Sequence, residues 1–441
     1  MKERILLFFI ILGLSVFIYV FQSYFNTVWA LGLICFGMFI YSLTANLAYK
    51  VKKRVEKFHP EPVNENYKPF VTIMVPAHNE ETVISNTVAN IENIDYPNFE
   101  VIVIDDRSTD NTASVIKDLE TKYSNLKAFI RPKDAFPGKS AVLNDAMAFA
   151  KGEAVLVFDA DATVNPDFLN KLVPLLEPKD VGAVQARKII RNKDQNLLTR
   201  CQNNEYTMDA QIQISRDSVK GAVELRGNGE LIKREALEDI GGWNNYTITD
   251  DLDMSTRLHI KGWDIRFCME AEVYEEGIAY IAPLYRQRRR WLEGTIRRYL
   301  EYCQDVLTSK DMSLRASLDM TIYISQFIMP GWFLLEFIIR TFKCLAKDAP
   351  PHIMFSSIII GAVIGLGFFL TIRLSIRKHD NLSRWDATVQ ALQTSIYFLL
   401  IWFPLVLFIS FKILFMKKDM NWGKTAHGLV LEEEKNLVNA K

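Results

Sequence analysis

The chain has 441 residues, 52 basic and 52 acidic side chains, a formal net charge of zero and an apolar content of 49%. Balanced charge argues against an electrostatic nucleic-acid binder, so no nucleic acid is expected as a partner. Five cysteines, an odd number without a CxxC pair, imply a reduced compartment with no structural zinc.

The chain opens on two apolar stretches, Ile5 to Phe21 and Val28 to Ala48, each near the ~20 residues that cross a bilayer. Residues 1–57 are therefore expected as two transmembrane helices. No small-residue cleavage site follows Phe21, which favours an uncleaved anchor over a secretory signal. Lys2 and Arg4 precede the pair and Lys50, Lys52, Lys53, Arg54 and Lys57 follow it, so both flanks are placed on the cytoplasmic side. A proline-marked linker, His59 to Pro69, then leads into residues 64–283, which mix charges, β-branched residues and turn formers as a soluble domain does.

Val71 to Val75 reads as a strand ending at Pro76, with Asn79 as N-cap of a helix from Glu80 to Asn93. Further strands are expected at Val101 to Ile104, Lys127 to Ile130 and Ala154 to Phe158, with helices through Tyr123 and from Ser140 to Ala150 between them. Apolar strands alternating with helices predict an α/β domain whose mostly parallel sheet is covered on both faces. Ligands of such sheets bind outside the carboxyl ends of the strands.

Three polar clusters fall at those ends: Pro76-Ala77-His78-Asn79-Glu80, Asp105-Asp106 and Asp159-Ala-Asp161. Each alone has a plainer reading as helix cap, turn or solvated loop, but their joint position predicts one crevice. Asp159 and Asp161 offer oxygen ligands to a hard divalent cation, magnesium or manganese. Such an ion stabilises charge on a departing diphosphate. Lys139, in Pro137-Gly-Lys-Ser140, can reach the same phosphates; a Walker loop needs glycine at position 133, where Lys133 stands, so an ATPase is not expected.

Asp250, Asp251 and Asp253 open a helix after Thr249. One of them is suited to act as a base for an incoming hydroxyl, although acids in a first turn also simply complement the helix dipole. Arg286-Gln287-Arg-Arg-Arg290-Trp291 lies in an amphipathic stretch, residues 284–316, of a kind that lies in a lipid interface. A tryptophan face also stacks on sugars, which would put Trp291 at an acceptor site. Ile322 to Ile339, Met354 to Ile372 and Ser395 to Met416 give about three further membrane segments in residues 317–416, with Pro330-Gly331 and Pro404 as candidate bends. A polar tail occupies residues 417–441.

Taken in order, Pro76-Ala-His-Asn-Glu80, Asp105-Asp106, Asp159-Ala-Asp161, Thr249-Asp250-Asp251 and Gln287-Arg-Arg-Arg-Trp291 resemble the inverting family 2 glycosyltransferases of GT-A (Rossmann-like) fold. That family includes cellulose, hyaluronan and poly-N-acetylglucosamine synthases, and the resemblance runs from about Lys68 to Tyr302. It implies that Pro76, Ala77 and Glu80 line the nucleotide pocket, that Asp105 and Asp106 hold the uridine, and that Lys139 lies near the diphosphate. It further implies Asp161, supported by Asp159, on Mg2+ or Mn2+, Asp251 as general base, and Gln287, Arg290 and Trp291 bordering donor and acceptor. The family usually has Thr-Glu-Asp where this chain has Thr249-Asp250-Asp251, so a shorter side chain, Asp250, stands in the glutamate's place.

Val184-Gln-Ala-Arg-Lys188, Leu225-Arg-Gly-Asn-Gly229 and Asn421-Trp-Gly-Lys-Thr-Ala-His427 are similar to the cyanobacterial β-monoglucosyldiacylglycerol synthases, where the Asp-Asp version is usual. This resemblance implies a UDP-sugar donor, UDP-glucose, a diacylglycerol acceptor, and a multi-pass protein of the bacterial cytoplasmic membrane with its catalytic domain cytoplasmic. A processive polysaccharide synthase with a glycan acceptor is the alternative, since Gln287 to Trp291 occurs in both groups. A catalytically silent scaffold is disfavoured because Asp159, Asp161 and Asp251 are all present.

Overall fold

The computed structural model describes residues 5–10, 12, 13, 16, 28–58, 64, 66–346 and 351–416. The centre of the chain folds into strands β1 (Val71–Ala77), β2 (Phe99–Asp105), β3 (Leu126–Ile130), β4 (Ala154–Val157), β5 (Thr163–Val164), β6 (Val181–Ile190), β7 (Glu230–Lys233) and β8 (Asp264–Glu275). They make one sheet in the order β3-β2-β1-β4-β7-β6-β8-β5.

The four strands β3, β2, β1 and β4 run parallel, as expected from their apolar, helix-separated sequence. The other half departs from that expectation. Strand β7 is antiparallel to both β4 and β6, and β5 is antiparallel to β8, while β6 and β8 are parallel. The cause is the route of the chain: after β6 the Leu197–Ser218 helix intervenes, and the chain re-enters the sheet through Gly227 to Gly229 at the edge where β4 ends. Entering from that edge, β7 can only run the opposite way.

Alternation along the parallel strands fills a core on each face. Ile73, Val75, Val103 and Leu156 pack with Ile84, Val88, Ile116 and Phe168 on one side. Met74, Ile102, Val155 and Val157 pack with Val142, Leu143 and Leu258 on the other. Full burial of each such side chain stabilises by about 1.5–3 kcal/mol.

Asn79 is not a helix cap. The helix begins at Ile84 behind Val83. Asn79 sits in the left-handed region at φ 55, and its Oδ1 accepts from the Thr109 amide at 2.7 Å, joining the loops after β1 and β2.

Outside the sheet domain the structure is helical. Val28–Phe58, Leu314–Leu345 and Pro351–His379 are single helices that contain three of the apolar stretches. Side chains 325–337 and 340 lie outside the described residues, as do residues 17–27 of the first stretch, 59–63 and 65 of the linker, and the whole tail 417–441 with Asn421 to His427. Among the described residues one run, Arg384–Phe415, is long and apolar enough to cross a membrane. It consists of the Arg384–Tyr397 helix, a π-helical turn at Phe398–Trp402 and the Phe403–Phe415 helix in one continuous run, so Pro404 falls just after the π turn, where the hydrogen-bond ladder changes register.

This run is fused to the sheet domain through a third core. Leu284, Leu292 and Ile296 of the Ile281–Thr308 helix pack with Ile376, Ala391, Leu405 and Ile409. Three of the six arginines of the Ile281–Thr308 helix are turned into the protein. Arg288, Arg297 and Arg298 are buried and paired with Glu205, Glu293 and Glu224.

Candidate active site

The carboxyl ends of β2, β1 and β4 lie side by side, with Ala77 opposite Asp105 in the sheet register. The Asp106 amide donates to the Ala77 carbonyl at 2.8 Å, and His78 Nδ1 lies 2.6 Å from the Asp106 carbonyl. The first two polar clusters thus form one wall, with Pro76 half-buried and Ala77 buried in it. Glu80 is buried nearby, its amide bonded to Thr112 Oγ1.

The two adjacent aspartates differ in what surrounds them. Asp106 receives Arg107 at 2.8 Å and the buried Arg131 at 2.5 Å, so its carboxylate is committed to the protein. Asp105 receives the Ser108 amide on Oδ2, whereas its buried Oδ1 has no hydrogen-bond partner. A buried acceptor left without a donor calls for a ligand group to satisfy it.

Across the crevice, Lys139 donates to Asp159 Oδ1 and to the Gly227 carbonyl, both at 2.7 Å. Burial alone would lower the Lys139 pKa, but Asp159, Asp250 and Glu230 outweigh it and hold the ammonium charged. Asp161 is buried and its Oδ2 accepts from the Glu276 amide at 3.0 Å. Among the described residues no group of three or more His, Cys, Asp or Glu converges into a protein-only metal cage. Asp159 and Asp161 supply the kind of oxygen donors suited to a hard cation that completes its shell with phosphate oxygens and water.

Gly227 joins Lys139 to the acids of the Asp250–Ile260 helix. Its φ of +77 is open to glycine, and a Cβ there would stand 3.3 Å from Asp251 Oδ2. Asp251 Oδ1 accepts from the Leu252 amide, and its pKa is pushed up to about 6 by burial, with the charge of Asp250 adding to the shift. Asp250 Oδ2 is buried without a partner. Glu230, at the start of β7, is pushed up to about 8 by burial, with Lys139 opposing and Asp250, Asp251 and Asp159 reinforcing.

The Gln287 to Trp291 segment closes the far side. Gln287 Oε1 accepts from Arg288, whose guanidinium lies 4.2 Å from the Trp291 ring centre and 3.0 Å from Glu205. Arg290 is half-buried and has no ion pair among the described residues. Trp291 reaches the crevice through Lys188, whose ammonium lies 5.8 Å from its ring centre and 2.9 Å from Glu275.

Residue-type reasoning assigned no role to Lys188, Gln185, Glu230, Glu275 or Arg131. Gln185 is fully buried in β6, accepts from the Arg226 amide and donates to the Asn228 carbonyl, so it holds the glycine loop in place. A glutamine, an arginine and a lysine inside an otherwise apolar strand were the available signal.

A family described as "Glycosyltransferase like family 2" matches residues 69–294, the segment that carries every element of this crevice. The chain belongs to the family 2 glycosyltransferases. It is 38% identical to the beta-monoglucosyldiacylglycerol synthase of Nostoc sp. over 371 residues, 81% of this chain and 76% of the relative. The beta-monoglucosyldiacylglycerol synthase of Synechocystis sp. is 34% identical over 375 residues, 84% of this chain and 77% of that one. In three dimensions the glycosyltransferase is similar, at TM-score 0.57 and 21% identity, to the mannosyltransferase PcManGT from Pyrobaculum calidifontis in complex with GDP-Man and Mn2+, over 84% of this chain and 99% of that one. That likeness is one of fold and identifies the domain as GT-A-like.

Proposed function

We propose that this glycosyltransferase moves glucose from UDP-glucose to the free hydroxyl of 1,2-diacylglycerol and inverts the anomeric carbon. The observation that carries the reading is the position of Gly227: its carbonyl accepts from Lys139 while a Cβ on it would meet the Asp251 carboxylate, so a cation and an acid converge on one loop. A single displacement needs those two functions on opposite sides of one sugar carbon. The names of the two cyanobacterial relatives support diacylglycerol and glucose as the substrates.

In this reading Asp105 Oδ1 takes a donor from the nucleoside, with Pro76, Ala77 and Glu80 as the surrounding wall and Asp106 fixing the loop through Arg107 and Arg131. Asp161 and Asp159 hold Mg2+ or Mn2+, which when bound neutralises charge on the leaving diphosphate. Lys139 exchanges its bond to Asp159 for phosphate oxygens. Asp251 accepts the proton of the acceptor hydroxyl as the oxygen bonds to the sugar carbon. The bond to the diphosphate oxygen breaks, and its electron pair leaves with UDP. An α-linked donor therefore yields a β-glycoside. Asp250 stands beside Asp251 and keeps its pKa raised, while Gln287, Arg290 and Trp291 border the sugar and the incoming lipid.

The lipid reaches the crevice from the bilayer. Exposed Leu399, Leu400, Phe411 and Phe415 on the Arg384–Phe415 run, and Ile359, Val363 and Leu366 on the Pro351–His379 helix, support burial of this side in hydrocarbon. We read the chain as a multi-pass protein of the bacterial cytoplasmic membrane with the sheet domain on the cytoplasmic side.

Membranes carrying the protein, given radiolabelled UDP-glucose, diacylglycerol and magnesium, are expected to place label in a single chloroform-soluble glycolipid. Label confined to solvent-insoluble polymer would instead establish a processive synthase.

A further inference from the structure

The Ile281–Thr308 helix packs on the start of the helix bearing Asp250 and Asp251, and its backbone comes against the Thr249 side chain at Gly294. Space, and not backbone conformation, demands glycine at this helical position. A Cβ on Gly294 would press hardest on Thr249 Cγ2 and would stand 2.7 Å from its Oγ1 and 3.1 Å from its Cβ. Thr249 is the residue before Asp250, and its buried hydroxyl has no hydrogen-bond partner, so packing alone locates the side chain.

One turn further, Arg298 makes a second attachment. Its Nη1 donates to the Leu252 carbonyl and to Thr256 Oγ1, both at 3.0 Å, and its Nη2 donates to Glu224 at 2.8 Å. From the other side the Leu225 amide donates to Ser255 Oγ, which donates to the Asp251 carbonyl. The acid-bearing turn is thus clamped between the glycine loop and the helix that carries Gln287 and Trp291.

We propose that Gly294, with Arg298 one turn on, is a positioning residue that sets the depth of Asp251 against the acceptor. The proposal rests on the reading of Asp251 as base. It makes the register between base and acceptor-facing side chains a property of one helix contact, in which a displacement of a few tenths of an ångström is felt at the reacting hydroxyl.

The test is Gly294→Ala in the wild-type and Thr249→Ala backgrounds, assayed in diacylglycerol-containing micelles with UDP-glucose varied. Alanine forms helix better than glycine, so the substitution does not weaken its own helix. In the wild-type background kcat is expected to fall on the order of 10- to 100-fold. The donor KM should stay within about twofold, because uniform binding is untouched. The acidic limb of the pH profile should shift as Asp251 moves. With Thr249 trimmed, adding Gly294→Ala should change kcat by less than about threefold, which is the coupling expected of two residues in contact.

Equal losses in both backgrounds, or unchanged kcat in Gly294→Ala, would overturn the proposal. Asp251→Asn separates it from the reading beneath it. Wild-type turnover in Asp251→Asn defeats the base assignment itself, whereas an inactive Asp251→Asn beside a fully active Gly294→Ala defeats only the positioning role. Should Gly294→Ala not fold, Arg298→Lys reads the same clamp: reduced kcat at retained donor KM supports it, and wild-type kcat overturns it.

Discussion

The two halves of the sheet domain handle charge in opposite ways. In β3, β2, β1 and β4 the buried strand residues are almost wholly apolar, and the carboxylates of these strands lie at the margins of β2, Glu100 near its start and Asp105 at its end. Beyond β4, charge goes inside. Glu224 is buried against Arg298 and Arg226 at 2.8 and 2.9 Å, Arg216 pairs with Asp319 at 2.8 Å, and Arg288 pairs with Glu205 at 3.0 Å. Burial would raise the Glu224 pKa, but the three surrounding guanidiniums outweigh it and hold the carboxyl well below its ordinary value. The difference teaches a division of labour. In the proposed reading the apolar half is a shelf for the nucleotide, and the charged half fixes the direction of Asp251 and of the Ile281–Thr308 helix through a buried network of ion pairs and hydrogen bonds.

The comparison can be broken at several depths. Asp251→Asn removes the proton acceptor and should lower kcat by about 10²- to 10⁴-fold with little change in donor KM. The pH profile carries the same sign: Asp251 must be ionised to act, so wild-type kcat should fall as pH drops through about 6 and level off above it. A flat profile between pH 5 and 7 would remove Asp251 from that role.

Glu224→Gln leaves the buried Arg298 without its carboxylate partner, while Arg216 and Arg226 keep Asp319 and Asp209, and should destabilise the protein by about 3–5 kcal/mol in chemical unfolding of the detergent-solubilised chain. A loss near zero would show that water reaches this network and that the charged half is less rigid than drawn. Lys139→Met removes the cation that pairs with Asp159 and that is proposed to face the diphosphate, and should raise the donor KM roughly tenfold, the value of one charge-assisted contact. Lys171→Ala breaks the pair with Asp167, whose partners are about one-third and one-half exposed, and should move stability by less than about 0.5 kcal/mol.

The apolar half was also the legible half. Strand–helix alternation located the bounds of β1 to β4 within two residues, and the rule that ligands bind at strand ends pointed to Pro76, Asp105 and Asp159 together. Within it, the unequal roles of Asp105 and Asp106 were hidden, because Arg131 lies 25 residues away along the chain. The charged half was nearly opaque. Arg298 meets Glu224 across 74 positions and Arg288 meets Glu205 across 83, and no local pattern announces such pairs. That is why arginines read as facing headgroups proved to be buried, and why the reversed strand β7 was not foreseen. Gly294 is a third case: a glycine inside a helix is an unremarked weakness until the neighbouring Thr249 shows what it makes room for.

The central claim is a single displacement at the anomeric carbon with Asp251 taking the proton. The most direct measurement is the proton NMR coupling of the anomeric hydrogen in the glycolipid made from UDP-α-glucose and diacylglycerol. A β-linked product is the predicted result; an α-linked product would contradict the single displacement and, with it, the role assigned to Asp251.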